Sequence, residues 1–261
     1  RCFYACLISA ICLCSCPLHA QHTLVLKNNE NDIVISPHAY VYTGQVSLTD
    51  FDTLLQSDSV KFVRNNSPEE INYGMDQPNA WCVFLIRNES DQQDWVLKIQ
   101  QSRVDTAQLY IVRENKGIER FPMTGHFQTF SERPVHSLPF AYAISIKKNE
   151  TVAFYLYTAR QYGRHAAITS FLTKGKFESY EYGFNVALGF VCGMVVLASF
   201  VGFFLFLFVH QRLYVYYSIY TTSFFFVLLA DTGFAHAILS FPHDQTVTNG
   251  FTIAFYYWMG G

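Results

Sequence analysis

The stretch FNVALGFVCGMVVLASFVGFFLFLFV, residues 184–209, decides the fold class, because it contains no Asp, Glu, Lys or Arg. A helix rises about 1.5 Å per residue and the hydrocarbon core of a bilayer is about 30 Å thick, so about 20 apolar residues cross it. The run exceeds that length and is apolar on every side, whereas an amphipathic helix of a soluble protein keeps a polar face. It therefore predicts a membrane-spanning helix.

Two more apolar segments follow, at residues 213–238 and from residue 251 onward, and they predict a second and a third span. The polar break at 210–212 contains an arginine, whereas the next loop contains neither Lys nor Arg. The positive-inside rule therefore places Arg212 in the cytoplasm and the N-terminal part of the chain outside. Asp231 lies in the second span, either at the outer interface or buried as a functional carboxylate. Because the sequence ends inside the third segment, we expect a fragment of a longer protein.

The N-terminus has the features of an export signal. A short apolar core follows a positive charge, and residues 1–20 resemble a secretory signal peptide. The alternative is a lipoprotein anchored through Cys16, which Pro17 disfavours. Five of the seven cysteines lie in this segment, so its removal leaves only Cys82 and Cys192 and predicts no disulfide framework.

Residues 21–175 show short alternating apolar and polar runs separated by polar turns, which is typical of an all-β domain. In Val152–Thr158 the even-numbered apolar residues point to one face, and Tyr155 and Tyr157 point to the other. A helix is expected at 49–56. The predicted fold class is an all-β, jelly-roll-like sandwich ectodomain, followed by a truncated α-helical transmembrane bundle at residues 184–261. The predicted strands are Thr23–Lys27, Tyr40–Thr43, Val60–Val63, Trp81–Arg87, Trp95–Gln100, Gln108–Arg113, Phe140–Ile146, Val152–Thr158 and Ala166–Phe171.

Catalysis has little support in the visible sequence. No HExxH, GxSxG or P-loop pattern occurs, and the histidines of the head lack metal-ligand spacing. The formal net charge of −2 gives no electrostatic reason to expect nucleic-acid binding. We predict no catalytic residue, no metal site and no cofactor in this part of the protein.

Ligand binding is better supported, because aromatic side chains can stack on sugar rings while polar groups supply hydrogen bonds. The candidates are Trp81, Tyr155 and Tyr157 for stacking, and Arg87, Asn88 and Arg133 for hydrogen bonding. Core packing is the alternative role for the aromatic residues. In the first span Gly189 and Gly193 form a small-xxx-small pair, which predicts close approach of another helix.

Several short motifs along the chain, taken together and in order, are similar to those of a known protein family. They are WCVFLIRN at 81–88, Trp95-Val96-Leu97, Leu109-Tyr110, Thr124-Gly125, Arg133-Pro134, FYLY at 154–157, Gly183-Phe184, Leu188-Gly189 and RLYVYY at 212–217. Together they resemble the periplasmic sensor domain and first spans of bacterial seven-transmembrane receptors with diverse intracellular signalling modules, the DISM type.

The resemblance implies a jelly-roll sensor for carbohydrate or a similar small ligand, and a seven-helix bundle. The bundle would signal to a cytoplasmic output module, such as a histidine kinase or diguanylate cyclase, that this sequence does not contain. The receptor is expected in the inner membrane of a bacterium with its head in the periplasm, alone or as a homodimer.

Two other classes of protein were weighed against this receptor. A transporter with a substrate-capturing exported domain is disfavoured, because the visible spans show no polar residues near their centres. A membrane-anchored carbohydrate-active enzyme would need paired carboxylates, which sequence spacing does not exclude.

Overall fold

A computed structural model describes residues 23–44, 51–56, 60–75, 77–100, 104–113, 117–126, 128–160, 164–232 and 234. The predicted signal peptide, the predicted third span and the last residues of the predicted second span lie outside the described residues.

The described part contains thirteen strands and three α-helices. The strands are β1 (Leu24–Leu26), β2 (Asp32–Val34), β3 (Tyr40–Tyr42), β4 (Val63–Arg64), β5 (Ile71–Met75), β6 (Asn79–Asn88), β7 (Asp94–Ile99), β8 (Thr106–Arg113), β9 (Gly117–Arg120), β10 (Phe140–Ser145), β11 (Thr151–Ala159), β12 (Arg164–Ala167) and β13 (Thr169–Thr173). The helices are α1 (Phe51–Gln56), α2 (Lys174–Val209) and α3 (Arg212–Asp231).

Two sheets form a β-sandwich. The larger sheet has seven strands in the order β4-β3-β6-β11-β8-β9, and β1 pairs in parallel with the second half of β6. The smaller sheet has the order β10-β7-β13-β2, and β5 and β12 form a separate two-stranded ribbon. The sandwich predicted from the alternation of residue types is therefore confirmed.

The main core lies between the two sheets. Phe84 of β6 stacks on Phe154 of β11 with ring centroids 5.1 Å apart, and Phe171 of β13 contacts both Phe154 and Trp95 of β7. Each buried aromatic side chain of this kind contributes about 1.5–3 kcal/mol. Cys82 lies in the same core as a free thiol, and burial raises its pKa. The alternate residues that line this core are Val152, Phe154 and Leu156 of β11 and Trp95, Leu97 and Ile99 of β7.

Each sheet also has a covered outer face. Helix α1 lies on the outer face of the larger sheet through Phe51 and Leu54. The first turns of α2 lie on the outer face of the smaller sheet through Phe177. The two apolar faces that a sandwich would otherwise expose are thus partly withdrawn from water.

Most predicted strands occur within one or two residues of their expected bounds. The predicted strand Ala166–Phe171 is divided between β12 and β13, which belong to different sheets. Strands β2, β5 and β9 were not predicted, because they are short or carry mixed polarity that shows no clear alternation. The predicted helix at 49–56 is found as α1.

One helix of the described residues, α2, is long and apolar enough to cross a membrane. At 36 residues it begins at Lys174, ten residues before the apolar run that predicted it. A helix of that length spans about 54 Å, so it crosses a hydrocarbon core of about 30 Å with several turns remaining outside.

Candidate functional site

An aromatic cluster lies on the outer face of the larger sheet. Trp81 of β6 is paired with Tyr157 of β11, and Tyr155 lies between Val83 and Tyr110 in the same register. Three of the six predicted ligand residues, Trp81, Tyr155 and Tyr157, are therefore brought together. Tyr110 joins them because β8 pairs with β11, a register that sequence alone does not reveal.

Phe51 of α1 covers this cluster. Its ring stacks on Tyr110 with centroids 4.1 Å apart and contacts Trp81 and Tyr155 at 5.5 Å each. As a result Trp81 is fully buried, and Tyr155 is only 4% exposed. The indole N–H of Trp81 is buried and has no hydrogen-bond acceptor among the described residues. The predicted stacking platform exists, but a side chain of the protein occupies it.

An open cleft of about 730 Å³ adjoins the cluster at the β3–β4 edge of the larger sheet. Tyr42 connects the two, because it lines the cleft and pairs with Trp81 across β3 and β6. The volume lies within the usual range for small-molecule sites. The described residues lining the cleft are Val41, Tyr42, Thr43, Gly44, Lys61, Val63, Arg64, Asn65, Asn66, Ser67 and Asn72.

Asn65 organises the wall of this cleft. It is buried, and its side-chain amide donates hydrogen bonds to the carbonyls of Ser36, Ser67 and Glu70 at 2.7–2.9 Å. Its side-chain oxygen accepts a hydrogen bond from the backbone N–H of Asn72. These bonds hold the irregular segment after β4 against β5, so the cleft is built on a fixed backbone.

His165 of β12 lies behind this wall. It is fully buried, its ring is 4.6 Å from that of Tyr73, and its Nδ1 is 2.7 Å from the carbonyl of Gln77. Burial is the largest cause that lowers the pKa of His165, and the charge of Arg160 acts in the same direction. The imidazole is therefore held neutral in the folded protein.

Arg87 and Asn88 lie at the opposite end of β6 from Trp81, about 20 Å away at 3.3 Å per residue. Arg87 is half exposed and forms an ion pair with Glu89 at 3.2 Å. Asn88 is fully buried, and its amide donates hydrogen bonds to the carbonyls of Gln92 and Ile146. Asn88 therefore closes the β6–β7 turn, and neither residue joins the aromatic cluster.

Arg133 lies in the loop before β10, away from the other candidates. Its guanidinium is 5.3 Å from the ring of Phe130 and 4.8 Å from that of Phe140, and it donates a hydrogen bond to the carbonyl of Ser137. Burial lowers the pKa of Arg133 to about 10, so it stays charged at neutral pH. These contacts hold the loop against β10 of the smaller sheet.

The connection between head and membrane helix is direct. Thr173 ends β13, and Lys174 begins α2 with no linker between them. Phe177 is 3% exposed and packs against Val96, Ala141 and Leu172 on the smaller sheet. One turn later, the ammonium of Lys98 lies 4.1 Å from the ring centroid of Tyr180. Displacement of β13 would therefore be transmitted to α2.

The two glycines predicted to pack helices lie elsewhere than the α2–α3 contact. A Cβ at Gly189 or Gly193 would meet nothing within 4 Å among the described residues. At Gly202 it would lie 2.7 Å from Ser218 Oγ, so Gly202 permits the close approach of α3. Ser199 Oγ and Thr222 Oγ1 are 2.6 Å apart and join the two helices further. Contact at Gly189 and Gly193 remains a prediction for a helix outside the described residues.

Sequence reasoning missed Phe51, Tyr42 and the polar lining of the cleft. Phe51 was placed in a helix, but nothing in the sequence shows which sheet face that helix covers. The cleft residues 61–67 lie mostly outside regular strands, where no periodicity marks a shared surface. The one usable signal was the density of amide and cationic side chains between Lys61 and Asn72.

Comparison with solved structures finds a β-glucosidase from Kluyveromyces marxianus in complex with glucose, at 12% identity and TM-score 0.30. The match covers 52% of this chain and 15% of that enzyme, so the chain spans a small part of its length. A family 35 carbohydrate binding module from Clostridium thermocellum matches at 8% identity and TM-score 0.28, over 55% of this chain and 99% of the module. The N-terminal domain of the single-strand break repair protein XRCC1 matches at 13% identity and TM-score 0.26, and the match covers 54% of this chain and 95% of that domain.

Comparison with curated proteins finds no match. The sequence model of the 7TMR-DISM extracellular 2 domain matches residues 36–169, just over half of the chain. This range holds nearly all of the sandwich, and the apolar helix α2 follows directly, so the head faces outward from a membrane. The chain belongs to the 7TMR-DISM receptor family, and residues 36–169 are its extracellular sensor domain.

Proposed function

We propose that the protein is a multi-pass receptor of a bacterial inner membrane, which senses a periplasmic carbohydrate and signals to a cytoplasmic output module. The head senses and carries no catalytic step. Residues 213–238 and the segment from residue 251 form further spans in this proposal. The output module lies beyond this sequence, in the same chain or in a partner.

The observation that carries the carbohydrate proposal is the cleft beside the aromatic cluster. Sugar sites combine aromatic surface with several fixed polar groups, because a sugar ring has apolar faces and a hydroxyl-rich rim. The cleft offers Tyr42 together with the side chains of Asn66 and Asn72 on a wall fixed by Asn65. It is open, whereas the predicted platform of Trp81 is covered.

The route from this cleft to the membrane runs through the sandwich. Ligand contacts on β3 and β4 act on β6 and β11, whose inner faces pack against β13 through Phe154 and Phe171. Because β13 continues into α2, two packings of the core would correspond to two positions of the helix. A ligand that favours one packing shifts the population of helix positions, which is the energetic requirement for signalling.

The proposal is tested with the full chain in lipid nanodiscs, screened on an array of neutral and acidic glycans. We expect at least one glycan class to bind, and hydrogen exchange of the bound protein to slow in residues 61–67. The turn at 147–150, which lies at the Asn88 end of β6 and away from Trp81, is the internal control and should exchange at an unchanged rate. Binding that protects 86–92 or 130–138 instead would move the site to Arg87 or Arg133 and contradict the cleft.

A further inference from the structure

The charge of the cleft identifies a class of ligand, and this inference rests on the proposed function. Lys61 and Arg64 both line the cleft, and both are exposed. No Asp or Glu occurs among the described residues that form its walls. Within the described part of the chain, neither cation forms an ion pair.

Two buried or partly buried ion pairs elsewhere in the head show the contrasting arrangement. Arg113 contacts Glu119 and Glu150, and Arg164 contacts Glu70. The pairing of Arg164 with Glu70 matters here, because it engages the acidic residue whose carbonyl is bonded to Asn65 at the cleft wall. The described side chains that line the cleft therefore carry a net positive charge of two.

The amide side chains of the cleft can also donate hydrogen bonds. Asn65 is committed to the backbone. Asn66 is exposed, so its amide is accessible to a ligand. The side-chain oxygen of Asn72 accepts a hydrogen bond from the backbone N–H of Gly74. The NH₂ group of Asn72 is therefore available to another partner. A ligand that supplies acceptor oxygens and negative charge therefore matches the two cations and the amide N–H groups of this surface.

We propose that the cleft binds a carboxylated glycan, a uronate oligosaccharide, with its carboxylate on Arg64 and Lys61 and its hydroxyls on Asn66 and Asn72. A guanidinium binds a carboxylate through two parallel N–H···O bonds, and charge-assisted bonds of this kind are about twice as strong as neutral ones. Uronates join that carboxylate to the hydroxyl-rich ring that the amides recognise.

The test compares trigalacturonate with its trimethyl ester, in which all three carboxylates are esterified, by calorimetry on the full chain in nanodiscs. The trimethyl ester is a neutral ligand of nearly the same shape. The acid should bind about tenfold or more tightly than the ester, and the difference should shrink at high salt as the charges are screened. Lys61→Gln and Arg64→Gln should each weaken binding of the acid about tenfold. The matched control Lys147→Gln removes an exposed charge in the turn at the Asn88 end of β6 and should leave binding unchanged.

Four results would overturn the inference. Equal binding of acid and ester would refute the requirement for a carboxylate, while leaving a carbohydrate receptor intact. Tight binding of the acid that survives both substitutions would place it elsewhere. Competition by inorganic phosphate at equal affinity would indicate a general anion site rather than a glycan site. Absence of binding by the acid, by the ester and on the glycan array would overturn this inference and the carbohydrate proposal together.

Discussion

Replacement of Phe177 by Ala tests how firmly the membrane helix is attached to the head. The ring is 3% exposed and packs on Val96, Ala141 and Leu172, so its loss leaves a cavity against the smaller sheet. Truncation of a buried Phe to Ala costs about 3–5 kcal/mol. The neighbouring cation–π contact of Tyr180 with Lys98 contributes about 0.5–1 kcal/mol, so Phe177 dominates the attachment.

A loss of 3–5 kcal/mol corresponds to an increase of about two to three and a half orders of magnitude in the undocked population. Hydrogen exchange of the amides at 178–182, measured on the full chain in nanodiscs, should accelerate accordingly. Tyr182→Ala is the control, because Tyr182 is 74% exposed and lies on the same helix. If Phe177→Ala exchanges no faster than Tyr182→Ala, the packed contact does not hold the helix and the proposed route fails.

Three further predictions concern Phe51 over the aromatic cluster, the buried His165 and the contact between α2 and α3. Phe51→Ala should shift the fluorescence of Trp81 to the red in a chain whose other tryptophans are Phe, because the indole loses its cover; unchanged emission would contradict the covered cluster. The free energy of unfolding should fall as pH drops below about 6.5, because His165 binds a proton in the unfolded chain and resists it when buried. The slope from this one residue is at most about 1.4 kcal/mol per pH unit. Thermal unfolding of His165→Gln should show a smaller loss of stability over the same pH range. Gly202→Val should weaken the α2–α3 contact by about 1–3 kcal/mol in denaturant titrations of a chain that ends at residue 234. In that chain Gly193→Val should leave the contact unchanged, and equal effects would refute the observed packing.

The fold was predictable where the residue types on the two faces of a strand differ. In β11 the alternation of Val152, Phe154 and Leu156 with Tyr155 and Tyr157 fixes the core face, and the structure agrees. The short strands β2, β5 and β9 carry too few residues for alternation to be distinguished from chance. The strand break at Ile168 was also invisible, because neither proline nor glycine marks it in the sequence.

The candidate site was predictable only in part, because a site depends on which strands become neighbours. Trp81, Tyr155 and Tyr157 share a face by parity, so their meeting required only the pairing of β6 with β11. Arg87 also follows Trp81 at an even spacing, yet its distance along the strand separates it from the cluster. The covering residue Phe51 is distant in sequence, and its position is a property of the tertiary fold.

The most direct measurement of the central claim, an outward-facing sensor joined to a spanning helix, is the location of reporters fused within the chain. Alkaline phosphatase, which is active only outside the cytoplasm, is fused after Lys174 and, in a second chain, after Arg212. The account predicts an active enzyme at Lys174 and an inactive one at Arg212, with the reverse pattern for cytoplasmic β-galactosidase. Inactive phosphatase at Lys174 would place the head in the cytoplasm and contradict the receptor.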